Sequence, residues 1–254
     1  MPAPRDTVRI AAVGDIHVKR TPIEQVQALF AAMTESADIA LLCGDLTDYG
    51  TDEEGEMLAD VIKTKLRIPT LAVLGNHDHE SGQPERLAKI LESAGVVMLD
   101  HGAPQEVNGV GFGGAKGFVG GFGRRQLGSW GEKSLKDLVH ETIEETLKLE
   151  QSLAKLRTQH KIAVLHYSPI QATLEGEPLE IMPFLGSSRL EEPLDRYRVT
   201  AAFHGHAHHG TPEGRTRGEV PVFNVAMPVL KRAFPDKQPF KLLELPVVVE
   251  SPVA

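Results

Sequence analysis

The side chains best suited to chemistry in this 254-residue chain lie in five short clusters of acids and histidines, with one asparagine. The densest cluster is FHGHAHHG at 203–210, which holds four of the eleven histidines. Gly205 and Gly210 punctuate it, so we expect the backbone to turn sharply after an apolar segment. A histidine tract alone is often a surface feature. Its meaning therefore depends on partners elsewhere in the chain.

Each of the other clusters also follows an apolar run. In chain order, the candidate residues are Asp15, His17, Asp45, Asn76, His77, Asp78, His166, His206 and His208. Carboxylates and imidazoles suit first-row transition metals, and a carboxylate has two oxygens with which to bridge two ions. Asp45 lies between other clusters and is a natural bridge. Two ions about 3.5–4 Å apart could share a hydroxide and clamp a phosphoryl group.

The elements that must position these residues can be read from hydrophobic patterning in the first half of the chain. Buried strands are predicted within 8–17, 38–46 and 68–79, and helices over 22–35, 53–66 and 84–94. Pro22 and Pro84 are expected at first helical positions. Strands that alternate with helices indicate parallel βαβ units. Ligands collect at the carboxyl ends of such strands, which is where the clusters lie.

The second half of the chain is less regular. A long helix is predicted over 134–157, and strands within 161–169, 198–208 and the segments EVPVFNVAM and FKLLELP. The helix is predicted to pack one apolar face on the core. That face comprises Leu135, Leu138, Val139, Ile143, Leu147, Leu153 and Leu156. No internal repeat or linker is visible, so we expect a single domain over 1–254.

The ordered set of clusters resembles the calcineurin-like metallophosphoesterase family. The matching blocks are D-x-H at 15–17, G-D at 44–45, G-N-H-D at 75–78, His166 after a strand, and G-H-x-H at 205–208. One such block would be weak, whereas five in the right order are specific. The sequence segments GDLTDYG and GNHD also resemble those of the cyclic-nucleotide phosphodiesterase branch of the family.

This resemblance implies a fold, a metal centre and roles for its residues. The implied fold is α/β, a four-layer αββα sandwich of two mixed β-sheets flanked by helices. One metal would be held by Asp15, His17 and His208, and the other by Asn76, His166 and His206, with Asp45 bridging them. His77 would be no ligand but would assist the leaving group, and Asp78 would orient its ring. The ions would be divalent or trivalent Mn, Fe, Zn or Co.

The residue types fit phosphodiester hydrolysis independently of the family. A phosphodiester is anionic and resists attack, so catalysis requires charge neutralisation and an in-line nucleophile. Two ions supply both, because they lower the pKa of bound water. A histidine can protonate the leaving alkoxide, which contributes about 10²–10⁴-fold.

Composition limits the alternatives. The net charge of −8 does not favour nucleic-acid binding, which shows a basic footprint. Cys43 is the sole cysteine, so an intrachain disulfide is excluded. Its apolar surroundings make it a small core residue.

The first apolar run is too interrupted for a signal peptide, and no stretch approaches a membrane span. We expect a cytoplasmic protein with a small-molecule phosphoester substrate and no membrane attachment, and homo-oligomerisation stays open.

Other residues keep two interpretations each. His204 has two interpretations: it supports the metal ligands, or it is a core histidine whose hydrogen bonds are satisfied within the protein. Asp48 either forms a hydrogen bond with a ligand or is an ordinary acidic residue of a loop. The glycine-rich segment 111–128 is a lid whose Arg124 or Arg125 meets phosphate, or it is a surface hairpin. The metal ligands themselves could be ordinary turn residues, although seven matches together argue against this.

Several functions could use the predicted centre. A phosphodiesterase is favoured, with phosphomonoesterase or nucleotide pyrophosphatase activity as alternatives, and a nuclease is disfavoured by the acidic charge. A non-catalytic metal-binding interaction scaffold is the alternative from another class. A scaffold is expected to lose ligands, and here every ligand position is filled.

Overall fold

Two β-sheets form the centre of the molecule in a computed structural model that describes residues 7–246. The strands are β1 Thr7–Val13, β2 Ile39–Cys43, β3 Thr70–Val73, β4 Val96–Met98, β5 Gln105–Val107, β6 Val110–Gly114, β7 His160–Val164, β8 Ala201–His204, β9 Glu213–Arg215, β10 Pro221–Asn224 and β11 Lys241–Pro246. The helices are α1 Ile23–Ser36, α2 Asp52–Lys65, α3 Pro84–Ser93, α4 Lys133–Lys155, α5 Glu191–Arg196 and α6 Met227–Ala233.

Both sheets are mixed, as the family resemblance implies. The first has the order β11-β1-β2-β3-β4, and only β11 runs antiparallel to its neighbour. The second has the order β5-β6-β7-β8-β10-β9, with β5 and β9 antiparallel at its edges. The purely parallel arrangement that the βαβ pattern suggests is therefore correct for the central strands only.

Alternating side chains of the strands build a four-layer sandwich. In β1, Ile10 and Ala12 face the second sheet and pack in one cluster with residues such as Phe112. Ala11 and Val13 point the other way, into a cluster with α1, α2 and α3. The outer face of the second sheet packs against α4 and α5. Because central strands are buried on both faces, their sequences are mostly apolar. The predicted αββα fold is confirmed.

Two local predictions need correction. Helix α1 begins at Ile23, and Pro22 lies at the N-cap position rather than inside the first turn, whereas Pro84 does begin α3. The buried face of α4 is rotated from the predicted apolar stripe. Leu147 is 45% exposed, while Thr142, Glu145 and Ser152 are buried. Ser152 lies against Gly113 of β6, and the other two lie against the segment that follows β6, where Thr142 donates a hydrogen bond to the Val119 carbonyl at 2.7 Å.

The glycine-rich segment is neither a lid nor a surface hairpin over its first half. Residues 111–117 are buried, and 110–114 form the central strand β6. A Cβ at Gly113 would lie 2.7 Å from Ser152 Oγ, so glycine permits α4 to pack closely on this strand. Arg124 and Arg125 lie in an exposed 3-10 turn.

Three further facts complete the description. Within 7–246, no helix is long and apolar enough to cross a membrane. Cys43 is buried as a free thiol, in agreement with a core role. Residues 1–6, which form part of the segment judged for a signal peptide, lie outside the described residues. So do 247–254 at the end of the predicted domain.

Candidate metal centre

The predicted ligands meet where the parallel strands of both sheets end. Asp15 and His17 follow β1, Asp45 follows β2, Asn76 follows β3, and His166 follows β7. His206 and His208 follow β8. Backbone hydrogen bonds join these turns across the sheets, including Asp15 N–H to the Gly44 carbonyl and Gly205 N–H to the His166 carbonyl. The sandwich therefore brings five sequence clusters to one edge.

The turns that carry the candidate ligands have an unusual backbone. Asp15, His17, Asp45 and His206 have φ values of 56°, 45°, 48° and 68°. This left-handed region is uncommon for residues other than glycine, although Asp and His enter it more readily than most. Such conformations cluster at functional sites because the surrounding structure holds them.

The glycines in the predicted motifs have a steric reason. A Cβ at Gly75 would overlap the Asp45 carboxylate, and a Cβ at Gly205 would overlap the Asp15 carboxylate. Both backbones pass directly beside an acid of the centre. The G-N-H-D and G-H-x-H spacings therefore reflect close approach to these acids.

The first group of candidate ligands is Asp15, His17 and His208, whose donor atoms lie within 4.8 Å of one another. The His208 Nε2–H donates to Asp15 Oδ1 at 2.8 Å. Burial opposes the charged form of His208, but this hydrogen bond and the charge of Asp15 together raise its pKa. The Asp15 carboxylate is also fixed by the N–H of His206, at 3.1 and 3.0 Å from its two oxygens.

His17 supplies direct support for a cation. Its side chain is 4% exposed, and among the described residues neither ring nitrogen makes a well-aligned hydrogen bond. Asp48 Oδ1 is 3.2 Å from Nδ1, but this contact is not aligned as a hydrogen bond. Burial lowers the pKa of His17 to about 4, so the ring is neutral near pH 7. A neutral buried imidazole with an unused lone pair is what a metal ligand requires.

The second group contains Asp45, His166 and His206, again within 4.8 Å. His166 Nδ1 is 3.0 Å from the Cys43 carbonyl, which can only accept, so this nitrogen carries the proton. Its Nε2 then presents a lone pair, and lies 3.0 Å from Asn76 Oδ1 and 3.3 Å from Asp45 Oδ1. Burial lowers the pKa of His166 well below its usual value, so no proton on the ring relieves this contact. His166 Nε2, Asn76 Oδ1 and Asp45 Oδ1 thus converge on one point, where either a proton on Asp45 or a bound cation would stabilise them.

Asp45 lies between the two groups. Its Oδ2 is 3.9 Å from His17 Nε2, and its Oδ1 faces His166. Burial, followed by the charges of Asp15 and Asp78, raises the pKa of Asp45 to about 9. In the absence of metal, this carboxyl group therefore keeps its proton at neutral pH.

His206 is the remaining member of the second group. Its Nε2–H donates to the Phe184 carbonyl at 3.2 Å, which leaves Nδ1 with the lone pair. Burial and then the neighbouring His166 lower the pKa of His206 to about 3. The donor set as a whole, oxygen and neutral imidazole nitrogen, fits transition-metal ions.

His77 lies at the centre, but the structure corrects the prediction for Asp78. The expected hydrogen bond between the two side chains is absent, because His77 Nδ1–H donates to the Asp48 backbone carbonyl at 2.8 Å. The Asp78 carboxylate instead accepts the N–H groups of Leu46, Thr47 and Gly75 and the Thr47 hydroxyl, at 2.6–3.1 Å. Asp78 is fully buried and ties the β2 and β3 turns together. It does not orient the ring.

His77 remains within metal-binding reach. With His17 and Asp45 it forms a third group of donor atoms within 4.8 Å. Its ring centre is 4.6 Å from that of His17, and its side chain is 33% exposed. The ring therefore borders both the centre and the solvent.

The structure distinguishes between the two interpretations given for Asp48 and for His204. Asp48 borders the centre, since its carboxylate lies 3.2 Å from His17 Nδ1 and 4.0 Å from His77 Nδ1. His204 is a satisfied core histidine, because Nδ1–H donates to the Gly205 carbonyl and Nε2 accepts from Thr173 Oγ1, both at 2.8 Å. The sequence offered no signal for Lys116 and Tyr167, which line a cleft that adjoins Asn76.

The chain belongs to the calcineurin-like phosphoesterase family, whose model matches residues 8–210. Members of this family are phosphoric ester hydrolases that use divalent metals. All nine predicted site residues lie within the matched range.

Two curated relatives are similar to parts of the chain. A probable cyclic nucleotide phosphodiesterase of Synechococcus sp. is 29% identical over 126 residues, which are 41% of this chain and 48% of that protein. A probable glycerophosphodiester phosphodiesterase of Arcobacter nitrofigilis is 22% identical over 184 residues, 67% of this chain and 56% of that protein. The chain thus spans about half the length of the curated relatives it matches.

Solved structures share the fold. Phosphopantetheinyl hydrolase from Mycobacterium tuberculosis superposes with a TM-score of 0.68 at 14% identity, over 96% of both chains. A Thermus thermophilus protein superposes with a TM-score of 0.56 at 13% identity, over 93% of this chain and 98% of its own. At such identities the likeness shows the fold alone.

Proposed function

We propose that this chain is a dinuclear metal-dependent phosphodiesterase. The observation that carries the proposal is the position of Asp45, whose two oxygens face His17 on one side and His166 on the other. One ion would be held by Asp15, His17 and His208, and the second by Asn76, His166 and His206, with Asp45 shared. Mn, Fe, Zn and Co all accept such ligands.

The protein side chains prepare this centre in a definite way. Bound ions would neutralise the phosphoryl charge and lower the pKa of water for attack. The hydrogen bonds from His166 to Cys43 and from His206 to Phe184 fix the tautomer of each ring and direct a lone pair inward. Because these partners are backbone carbonyls, the rings are held before any ion arrives.

His77 would supply the proton for the leaving group. The Asp48 carbonyl holds its Nδ1–H, so Nε2 is left for the substrate, and a third of the side chain is open to solvent. A proton held at Nε2 would pass to the departing ester oxygen, a step that contributes about 10²–10⁴-fold. Asp48 would assist through its backbone carbonyl and its nearby carboxylate.

The preference for diesters is supported by the printed functions of both curated relatives, which are probable phosphodiesterases. The test is to load the metal-free protein with each ion and compare bis(p-nitrophenyl) phosphate with p-nitrophenyl phosphate. Faster turnover of the diester is expected, and Asp45→Ala should lose it. Much faster turnover of the monoester than of the diester, with every metal and at every pH tried, would overturn the phosphodiesterase proposal. No turnover of either would favour an interaction scaffold.

The wider predictions belong to the same proposal. The substrate would be a small phosphoester and not nucleic acid, and the protein would act in the cytoplasm as a single domain over 1–254. Homo-oligomerisation remains open.

A further inference from the structure

Lys116 is a buried lysine without a counter-ion. Lys116 is 9% exposed, and among residues 7–246 no carboxylate oxygen lies within 4.0 Å of its Nζ atom. Nζ donates a single hydrogen bond, to the Gly117 carbonyl at 3.0 Å. It also lies 4.6 Å from the ring centre of Phe118 and 5.3 Å from that of Tyr167. Buried ammonium groups are almost always paired, so this one calls for an anion.

Glu145, Glu141 and Asp100 act on the charge of Lys116, but none of them has an oxygen within 4.0 Å of Nζ. Glu145 accepts the Gly117 N–H at 2.9 Å and forms an ion pair with Lys148 at 2.5 Å. Asp100 Oδ2 accepts the Leu74 N–H at 2.8 Å, its Oδ1 has no hydrogen-bond partner among the described residues, and burial raises its pKa to about 7, which leaves it partly neutral. Neither carboxylate therefore satisfies Lys116.

Lys116 faces an open cleft that begins at the metal centre. This cleft measures about 400 Å³ and is lined by residues that include Asn76, Lys116, Phe118, Glu141 and Tyr167. Tyr167 directly follows His166, and its ring centre lies 4.4 Å from that of His206. The cleft is thus continuous with the second group of candidate ligands, and is larger than a phosphoryl group needs.

Tyr167 offers a second unused donor in the cleft. Its hydroxyl makes no hydrogen bond with the residues that the structure describes. A phenol and an ammonium with spare hydrogens therefore line the same cleft. Both donate, and both suit an anionic oxygen.

We propose that Lys116 and Tyr167 bind a second anionic group of the substrate, beyond the scissile phosphoryl group on the Asn76 side. The inference rests on the proposed function and deepens it. The preferred substrates would be phosphodiesters whose ester group bears a carboxylate or a further phosphate. Phe118 would contact the apolar part of that group.

The test uses two diesters with the same reactive group, p-nitrophenyl phenyl phosphate and p-nitrophenyl 4-carboxyphenyl phosphate. The native protein should favour the carboxylate in kcat/KM by about tenfold or more, as expected for one charge-assisted hydrogen bond. Lys116→Met keeps the buried methylene stem and should remove this preference while metal content is unchanged. Tyr167→Phe should reduce it mainly through KM.

The matched control is Lys89→Met, an exposed lysine of α3 outside the cleft. It removes the same charge and should keep the preference. Equal kcat/KM for both diesters in the native protein would overturn the inference and leave the phosphodiesterase proposal intact, whereas no turnover of either would overturn the proposed function. If Lys116→Met does not fold, the native preference and Tyr167→Phe still decide.

Discussion

His77 differs from the buried candidate ligands His17 and His166 in how its ring is held, whereas the candidate ligand His208 is as exposed as His77. One hydrogen bond to the Asp48 carbonyl fixes Nδ1, and a third of the side chain is open to solvent. His166, by contrast, is completely buried beneath the centre. A group that must exchange protons with substrate and water needs such access, and a permanent ligand does not.

We therefore expect His77→Ala to keep near-native metal content and to lower kcat by about 10²–10⁴-fold. The loss should shrink for nitrophenolate leaving groups, which need little protonation, and grow for alkoxides such as a ribose hydroxyl. Elemental analysis and kinetics on both substrate types check this.

The comparison variant is His208→Ala, which should lose metal affinity first and activity in consequence. If His77→Ala loses an ion, His77 is a ligand, as its proximity to His17 and Asp45 allows. Equal impairment on both leaving groups would mean that His77 positions the phosphoryl group.

Asp78 acts on stability rather than on the ring of His77. Its replacement by Ala would leave three buried backbone N–H groups without an acceptor, each worth about 1–3 kcal/mol. We expect Asp78→Ala to lower the free energy of unfolding by about 3 kcal/mol or more in urea denaturation. Thr47→Val removes the hydroxyl that donates to Asp78 and accepts the Gly50 N–H, and should cost about 1–3 kcal/mol. A stable but inactive Asp78→Ala would restore the catalytic role predicted from sequence.

At the scale of elements, helix α2 fixes the turn that carries Asp45 and Asp48. Thr51 and Glu54 form a capping box at its start, in which Glu54 N–H donates to Thr51 Oγ1 and Thr51 N–H donates to Glu54. Glu54 also accepts the Tyr49 N–H at 3.1 Å. The cap thus extends back into the turn beside the metal centre.

Thr51→Ala should therefore lower the free energy of unfolding by about 1 kcal/mol, the usual cost of a lost N-cap. The matched change is Thr64→Ala near the end of the same helix, where an exposed threonine bonds back to the Asp60 carbonyl. It should be neutral or slightly stabilising, since alanine is the better helix former. Equal losses in thermal denaturation would contradict a special role for the cap.

Sequence patterning predicts the elements that bury their own apolar residues and fails where packing partners decide. The strands within 8–17, 38–46 and 161–169 carry runs of buried apolar residues that the sequence pattern predicts. Strand β6 reads VGFGG, and its glycines suggest a loop, although α4 needs their small size. The face of α4 was misplaced because Thr142 and Glu145 are buried through hydrogen bonds that no hydrophobic pattern records. The partner of His77 was likewise unpredictable, because it is a backbone carbonyl.

At the scale of the whole molecule, the fold keeps a proton on the carboxyl group of Asp45 when no metal is bound. The pKa of Asp45 is about 9 in the fold, so the folded protein keeps a proton between about pH 4 and 9 that the unfolded chain has released. The contribution of Asp45 to stability therefore falls as pH rises through that window. His17, with a pKa near 4, acts in the opposite direction, because stability falls as pH drops from about 6.5 to 4.

Metal binding at pH 7 should consequently release about one proton from Asp45 per chain, with two ions bound at saturation. A titration followed with a pH indicator measures both quantities, and the release should fade above pH 9. Asp45→Asn, which has no proton to lose, is the control. Saturation at one ion, or a release as large at pH 10 as at pH 7, would contradict the shared role of Asp45.

The left-handed backbone at Asp15, His17, Asp45 and His206 has a consequence for inheritance. Glycine would adopt each of these conformations without strain, so backbone conformation alone would favour glycine at every one of them, although the Asp15 and Asp45 carboxylates also accept backbone N–H groups. A duplicated gene freed from its task, or an algorithm that designs only for stability, should erase the metal centre early and keep the sandwich. At His17 the described residues show no side-chain hydrogen bond that would offset this strain, so a bound ion is the interaction expected to do so.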